Sequence, residues 1–178
     1  MMNRNAILAA VFPLVGVLVF TDSRAELQIK PDSRLTPGDA VTTDVHLICR
    51  AGYAEQARGI TDAEKRQVFR LYGIGQQNVR RYEIDHLISV ELGGSNALRN
   101  LWPQPLGNLS YNTYRKDELE HKLHELVCAG ELPIRQAQGE IASDWIAAYK
   151  KYIGPTGVSK PDPAKSLALQ DNGDSLGQ

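Results

Sequence analysis

No sign of charge dominates this sequence. Its 20 lysines and arginines face 21 aspartates and glutamates, and the formal net charge is −1. The basic surplus by which many nucleic-acid binders declare themselves is missing, so composition alone names no such partner. There is no internal repeat, which sets solenoid architectures aside. The uncharged apolar run from Ala6 to Phe20 is shorter than the roughly 20 residues that a membrane-crossing helix needs. Cysteine occurs only twice. What remains is the composition of an ordinary soluble globular protein, 42% hydrophobic and 23% charged over 178 residues, which suits one domain with or without tails.

The apolar run has the flanks of a leader. Arg4 precedes it, and Ser23-Arg24-Ala25 offers small residues where a signal peptidase reads. These features predict a signal peptide over 1–25, cleaved after Ala25, and an exported protein, periplasmic or secreted, that leaves the membrane. The competing reading is an uncleaved anchor, against which Pro13 and Gly16 speak because they make a poor permanent helix. Cleavage would leave 18 basic against 20 acidic residues. Cys49 and Cys128 both lie in the remainder, and an even number in an oxidising compartment predicts a disulfide; two buried thiols are the alternative.

Local patterns predict an α+β protein. Residues 26–43 are polar, with Pro31, Pro37 and Gly38, and read as an extended arm before a domain over 44–154. Val45 to Cys49 suggests a short strand. Thr61 and Glu64 form a capping-box pattern ahead of Val68, Phe69, Leu71 and Tyr72, which predicts a helix from Asp62 to Tyr72 stopped by Gly73. Tyr82 to Ile88 reads as a strand, Gly93-Gly94-Ser95-Asn96 as a turn, and Leu101-Trp102 as a second strand stopped by Pro103 and Pro105. A helix is expected from Tyr111 to Val127, with Leu119, Leu123, Leu126 and Val127 on one face and Gly130 just beyond. Pro133 opens another, whose buried stripe is Ile134, Ala137, Ile141, Trp145, Ala148 and Tyr152, weakened at Gly139. The composition of 155–178 predicts a disordered tail.

Asp85 and His86 carry the chemistry. Asp is a hard oxygen ligand for a divalent ion. His titrates near neutrality and can take a proton from water. Phosphodiester hydrolysis needs both an ion and a base. Asp85-His86-Leu87-Ile88, then Gly93-Gly94-Ser95-Asn96, then Asn100-Leu101-Trp102-Pro103, then a helix resembles the HNH endonuclease family in order and spacing. Supporting likeness to small bacterial HNH-type proteins lies in Asn100 to Pro105, Lys116 to Glu120, Asp144 to Tyr149, and both cysteines. The resemblance covers about half the chain.

It implies a ββα-metal core with additional helices, one divalent ion (Mg²⁺ first, Mn²⁺ or Zn²⁺ as alternatives), and a nucleic-acid substrate, DNA before RNA. Residue by residue it makes His86 the general base and Asp85 a metal ligand. Asn100 becomes the residue that fixes the inter-strand loop and helps orient the base. Asn112 is the nearest match for the last ligand, with Asp117, Glu120 and His121 as rivals. The paired-cysteine motifs that hold a structural zinc in some HNH proteins are missing. Arg115 and Lys116 are candidates for phosphate contact. Arg58, Lys65, Arg66, Arg70, Arg80 and Arg81 make the preceding segment locally basic. His121 and His124 stand one helical turn apart, a zinc-compatible spacing whose simpler reading is a solvated face; His46 reads as structural. Two other readings compete: a non-catalytic HNH-like module that binds nucleic acid or an unspecified protein, and a small disulfide-bonded domain in which Asp85-His86 is coincidence.

Overall fold

The structure, a computed structural model, describes residues 29–107 and 109–155. The expected signal peptide, its cleavage site and nearly all of the expected tail lie outside the described residues. The described part is mixed: helices α1 (Val45–Ile48), α2 (Tyr53–Ala57) and α3 (Asp62–Leu71), strands β1 (Tyr82–His86) and β2 (Leu101–Pro105), then helices α4 (Thr113–Cys128) and α5 (Ile134–Tyr152). No helix in it is long and apolar enough to cross a membrane.

Helix α3 begins where its capping box says it should. Thr61 Oγ1 accepts from the Glu64 amide at 3.3 Å, and Glu64 returns a carboxylate oxygen to the Thr61 amide at 2.7 Å. It ends at Gly73, whose φ of 66° is the left-handed conformation of a helix stop. The predicted strand over Val45 to Cys49 is instead the single-turn helix α1. Four apolar residues fit either period, and the preceding residue decides: Asp44 Oδ1 accepts from the amides of His46 and Leu47 at 3.0 and 3.4 Å, an N-cap.

Among the described residues the sheet has two strands, paired antiparallel with Tyr82 opposite Pro105 and His86 opposite Leu101. Strand β2 runs on through Pro103 and Pro105 rather than stopping at them. The amides of Leu87 and Leu106 reach across to Asn100 and Arg81, each at 2.8 Å, so the hydrogen-bonded pairs are those of odd-numbered β1 residues. Pro103 and Pro105 fall between them, with their nitrogens turned away from β1, where a missing N–H costs the ladder nothing.

The arm is extended but docked. It bridges at Ala40 to Gly94, and its Gly38 and Val41 amides reach the carbonyls of Arg99 and Gly93 at 3.1 and 2.9 Å. Gly94 has no room for a side chain: a Cβ there would lie 1.8 Å from the Ile88 carbonyl oxygen. Helices α4 and α5 pack their Leu119, Leu123, Val127, Ile141 and Trp145 into one core with Ile48 and Tyr53, while Leu126 is only partly buried. Helix α5 breaks not at Gly139 but at Asp144, which has extended backbone angles. Its carboxylate accepts from the amides of Ile146 and Ala147, both at 3.1 Å, and so caps the second half.

The expected disulfide is present: Cys49 and Cys128 are bonded across a sequence separation of 79, tying the end of α1 to the end of α4. A loop of that length confines the unfolded chain by about 4 kcal/mol. Replacing both cysteines with Ser should therefore lower the unfolding free energy by about 2–5 kcal/mol in urea melts. Leu119→Ala, which opens a void in the α4–α5 core, should cost a similar ~2–5 kcal/mol.

Candidate functional site

A cleft of about 630 Å³ opens where the end of β1, the short 3₁₀ turn Val90–Leu92 and the face of α4 meet. Asp85 and His86 both line it, although neighbours on a strand ordinarily point apart; they sit at the strand's last two positions. Four further carboxylates stand on its walls, those of Glu83, Glu91, Asp117 and Glu120, with His121, and with Arg58 and Lys65 as its cations.

His86 is buried and held in one orientation. Its Nε2 lies 2.8 Å from Asn96 Oδ1, and the Asn96 amide nitrogen donates to the Ala57 carbonyl at 3.0 Å. With the amide so oriented, Oδ1 is the atom facing the ring. Nε2 must then be the protonated nitrogen, which leaves Nδ1 with the lone pair. Burial pushes the imidazole pKa below its usual 6.5; Asn96 and Asp85 oppose this in part, and Lys116 and Arg58 add to it. The side chain is thus a neutral base with a set tautomer. The orienting role of Asn96 was not read from the sequence, where the residue counted only as turn chemistry.

Asn100 is fully buried and clamps the loop between the strands. Its Oδ1 accepts from the amides of Ile88 and Asp39 at 2.9 and 3.2 Å, and its nitrogen donates to the carbonyls of Ile88 and Ser95 at 2.9 and 2.8 Å. It touches no wall of the cleft and holds only the loop.

Lys116 is not placed to meet phosphate. Its side chain is 0% exposed, with the ammonium 2.7 Å from Asp85 Oδ2 and donating to Glu120 Oε1 and, over 2.6 Å, to the His86 carbonyl. That carbonyl belongs to a pair without ladder hydrogen bonds and so points away from β2, toward α4. Burial alone would lower the lysine pKa, but the Asp85 and Glu120 carboxylates outweigh it and raise it, so the ammonium stays charged. Burial, with repulsion from Asp85, raises the Glu120 carboxyl against the pull of Lys116. The i,i+4 spacing of Lys116 and Glu120 was the available sequence signal.

Arg115 also faces inward. Its guanidinium donates to the Tyr149 hydroxyl and stacks 5.4 Å from that ring's centroid, joining α4 to α5. Asn112, expected as the last metal ligand, is the N-cap of α4: its Oδ1 accepts from the Arg115 amide at 3.2 Å, and it does not line the cleft. Its rivals Asp117, Glu120 and His121 all do. His121 stands at the rim beside Glu91 and Glu125, whereas His124 turns toward the disulfide rather than into solvent.

The cleft's donors suit a hard cation. Glu91 Oε2 is buried without a hydrogen-bond donor, whereas Asp85 Oδ2 already meets the Lys116 ammonium at 2.7 Å. Buried acceptors in that condition are costly unless a cation or water meets them. Comparison of the chain with protein-family models, curated proteins and solved structures gives no match.

Two outcomes follow from this geometry. In an NMR titration of the metal-free chain, the His86 ring should protonate below pH 6.5. The unfolded chain takes that proton first on acidification, so the stability owed to neutral His86 is complete above pH 6.5 and declines as the pH falls from there toward the folded value. Lys116→Met should cost about 3–5 kcal/mol in urea melts, because Asp85 and Glu120 lose the cation between them. A loss under about 1 kcal/mol would show that the buried ion pairs do not hold α4 to β1.

Proposed function

We propose that this chain is a metal-dependent endonuclease of the HNH type, hydrolysing phosphodiester bonds of DNA, with RNA as the second substrate class. One observation carries the reading: a neutral, single-tautomer histidine, His86, beside Asp85 in an oxygen-rich cleft. The chain order β1, β2, α4 supports it, with β1 and α4 lining the cleft and β2 paired to β1, since two strands and a helix are what a ββα-metal core requires.

A divalent ion, Mg²⁺ before Mn²⁺ or Zn²⁺, suits the donor types; Asp85 would hold it, with Glu91, Asp117, Glu120 and His121 lining the same cleft. Bound there, it would offset charge on the phosphate and the leaving oxygen. The protein's own part is proton handling and placement. As a water oxygen bonds to phosphorus and an ester P–O bond breaks, the water's proton passes to His86 Nδ1. Asn96 keeps that nitrogen unprotonated beforehand, and Asn100 holds the loop that carries Asn96. Phosphate attraction falls to the exposed Arg58, Lys65, Arg66, Arg70, Arg80 and Arg81, which surround α3 and the approach to β1, rather than to the inward-facing Arg115 and Lys116. A second reading rests on Lys116. Its ammonium already neutralises Asp85, as it would in a non-catalytic module whose metal site has decayed.

Plasmid DNA and RNA incubated with the purified chain should be cut when Mg²⁺ or Mn²⁺ is present and spared by chelator. His86→Ala should lose about 10²–10⁴-fold in rate while keeping metal binding and fold. Asp85→Ala should lose metal and activity together, with circular dichroism confirming that it is folded. Unchanged cleavage by His86→Ala between pH 6 and 8 would remove His86 as the base, about where an imidazole base must act. Absence of divalent-ion binding by the unmutated chain would favour the non-catalytic module.

A further inference from the structure

A second set of metal-binding atoms lies away from the cleft. Cys49 Sγ, Cys128 Sγ and His124 Nε2 all fall within 4.8 Å of one another, the only such trio of potential ligands among the described residues. His124 and Cys128 are four residues apart on α4, hence on one face, and Cys49 is brought to them by the end of α1. In the structure the two sulfurs are bonded to each other.

We propose that reduction of the Cys49–Cys128 bond converts this corner into a Cys₂His site for a thiolate-preferring divalent cation of the zinc type, and that disulfide and metal occupy it in alternation. His124 Nε2 is already 3.4 Å from Cys128 Sγ. Ligands on one tetrahedral zinc, at about 2.0–2.1 Å for nitrogen and 2.3 Å for sulfur, stand about 3.6 Å apart. Two of the three ligands are therefore set at metal-site spacing. The third must move little: bonded sulfurs draw apart once reduced, and two thiolates on one zinc sit about 3.8 Å apart. Cys128 is exposed, which leaves the fourth position to water. His124 is half-buried, and its Nε2–H donates to the Ile48 carbonyl at 3.4 Å, a long bond that keeps the ring beside the sulfurs and is given up when Nε2 takes the metal.

The chemistry balances. A phosphine reductant takes an oxygen atom from water and becomes the phosphine oxide; the S–S bond breaks, and the two protons of that water leave the cysteines as thiols. Metal binding then displaces both thiol protons to the buffer. The proposal does not depend on the nuclease reading, because its ligands share no residue with the cleft.

The test uses the full chain, reduced by a water-soluble phosphine without oxygen and titrated with Co²⁺, then Zn²⁺. One thiolate-bound Co²⁺ per chain should give a thiolate-to-cobalt charge-transfer band and tetrahedral ligand-field bands, all removed by Zn²⁺. The oxidised chain should give none of these. His124→Gln should weaken Co²⁺ binding by about tenfold or more and shift the bands, since loss of a direct ligand costs at least as much as loss of an outer-shell partner. Zn²⁺ should also raise the melting temperature of the reduced chain by more than that of the oxidised chain at the same concentration. The proposal is overturned if the reduced chain shows no charge-transfer band, if His124→Gln matches the unmutated chain in affinity and spectrum, or if Zn²⁺ stabilises the reduced chain no more than the oxidised one.

Discussion

A lysine ammonium with no access to water is the constraint around which the rest of this protein is arranged. Removing such an ion from solvent costs several kcal/mol unless charges and acceptors of suitable geometry receive it. Lys116 finds two carboxylates and one carbonyl: Glu120 from its own helix, Asp85 from β1, and the main chain of His86. Two of these partners belong to the strand, so α4 cannot shift along or rotate against β1 without stranding a charge. Apolar packing would tolerate such movement more readily, because it is not directional. The cleft inherits its shape from this pairing, and the residues proposed for chemistry sit on the strand that the lysine grips.

Around that grip the protein uses polar side chains as fasteners. Asn100 uses both ends of its amide to close the loop after β1, and Gly94 lets the chain pass against Ile88 where any Cβ would collide. The docked arm adds a further tie: the Thr36 hydroxyl donates to the Leu101 carbonyl at 2.9 Å and lies 2.7 Å from the Tyr72 hydroxyl, linking the arm, β2 and the end of α3. The disulfide closes the opposite side. With a sheet of only two strands, these links supply the rigidity that a larger sheet would derive from its ladder.

What could be read in the sequence follows from the range of the forces involved. Helix α3 was legible because Thr61 and Glu64 act within one turn, and α4 and α5 because their apolar stripes repeat. The pairing of the cysteines needed only their number. The α1 turn was misread because four apolar residues carry too little periodicity, and the prolines of β2 because their tolerance depends on ladder parity, which only the partner strand sets. Asn112 has a residue type suited both to ligating and to capping, and at a helix start the cap engaged its oxygen. Lys116 reads locally as a candidate for phosphate contact because its partner Asp85 lies 31 positions earlier, beyond any local pattern. Asn96 was hidden for the same reason: its role as the orienter of His86 comes from a loop that brings its amide back to the ring.

The outer rim of β2 bears on how this chain behaves in company. Three of its residues turn their nitrogens away from β1. Pro103 and Pro105 have no hydrogen there, and the Leu101 N–H is already given to the Leu98 carbonyl. The rim is also covered: every residue of β2 is buried, and the Leu101 carbonyl already accepts from the Thr36 hydroxyl. Edge-to-edge growth, the first step by which open sheets template aggregates, is therefore blocked on that side by the missing donors and by the chain packed over the strand, without the surface lysines that other proteins station at exposed edges.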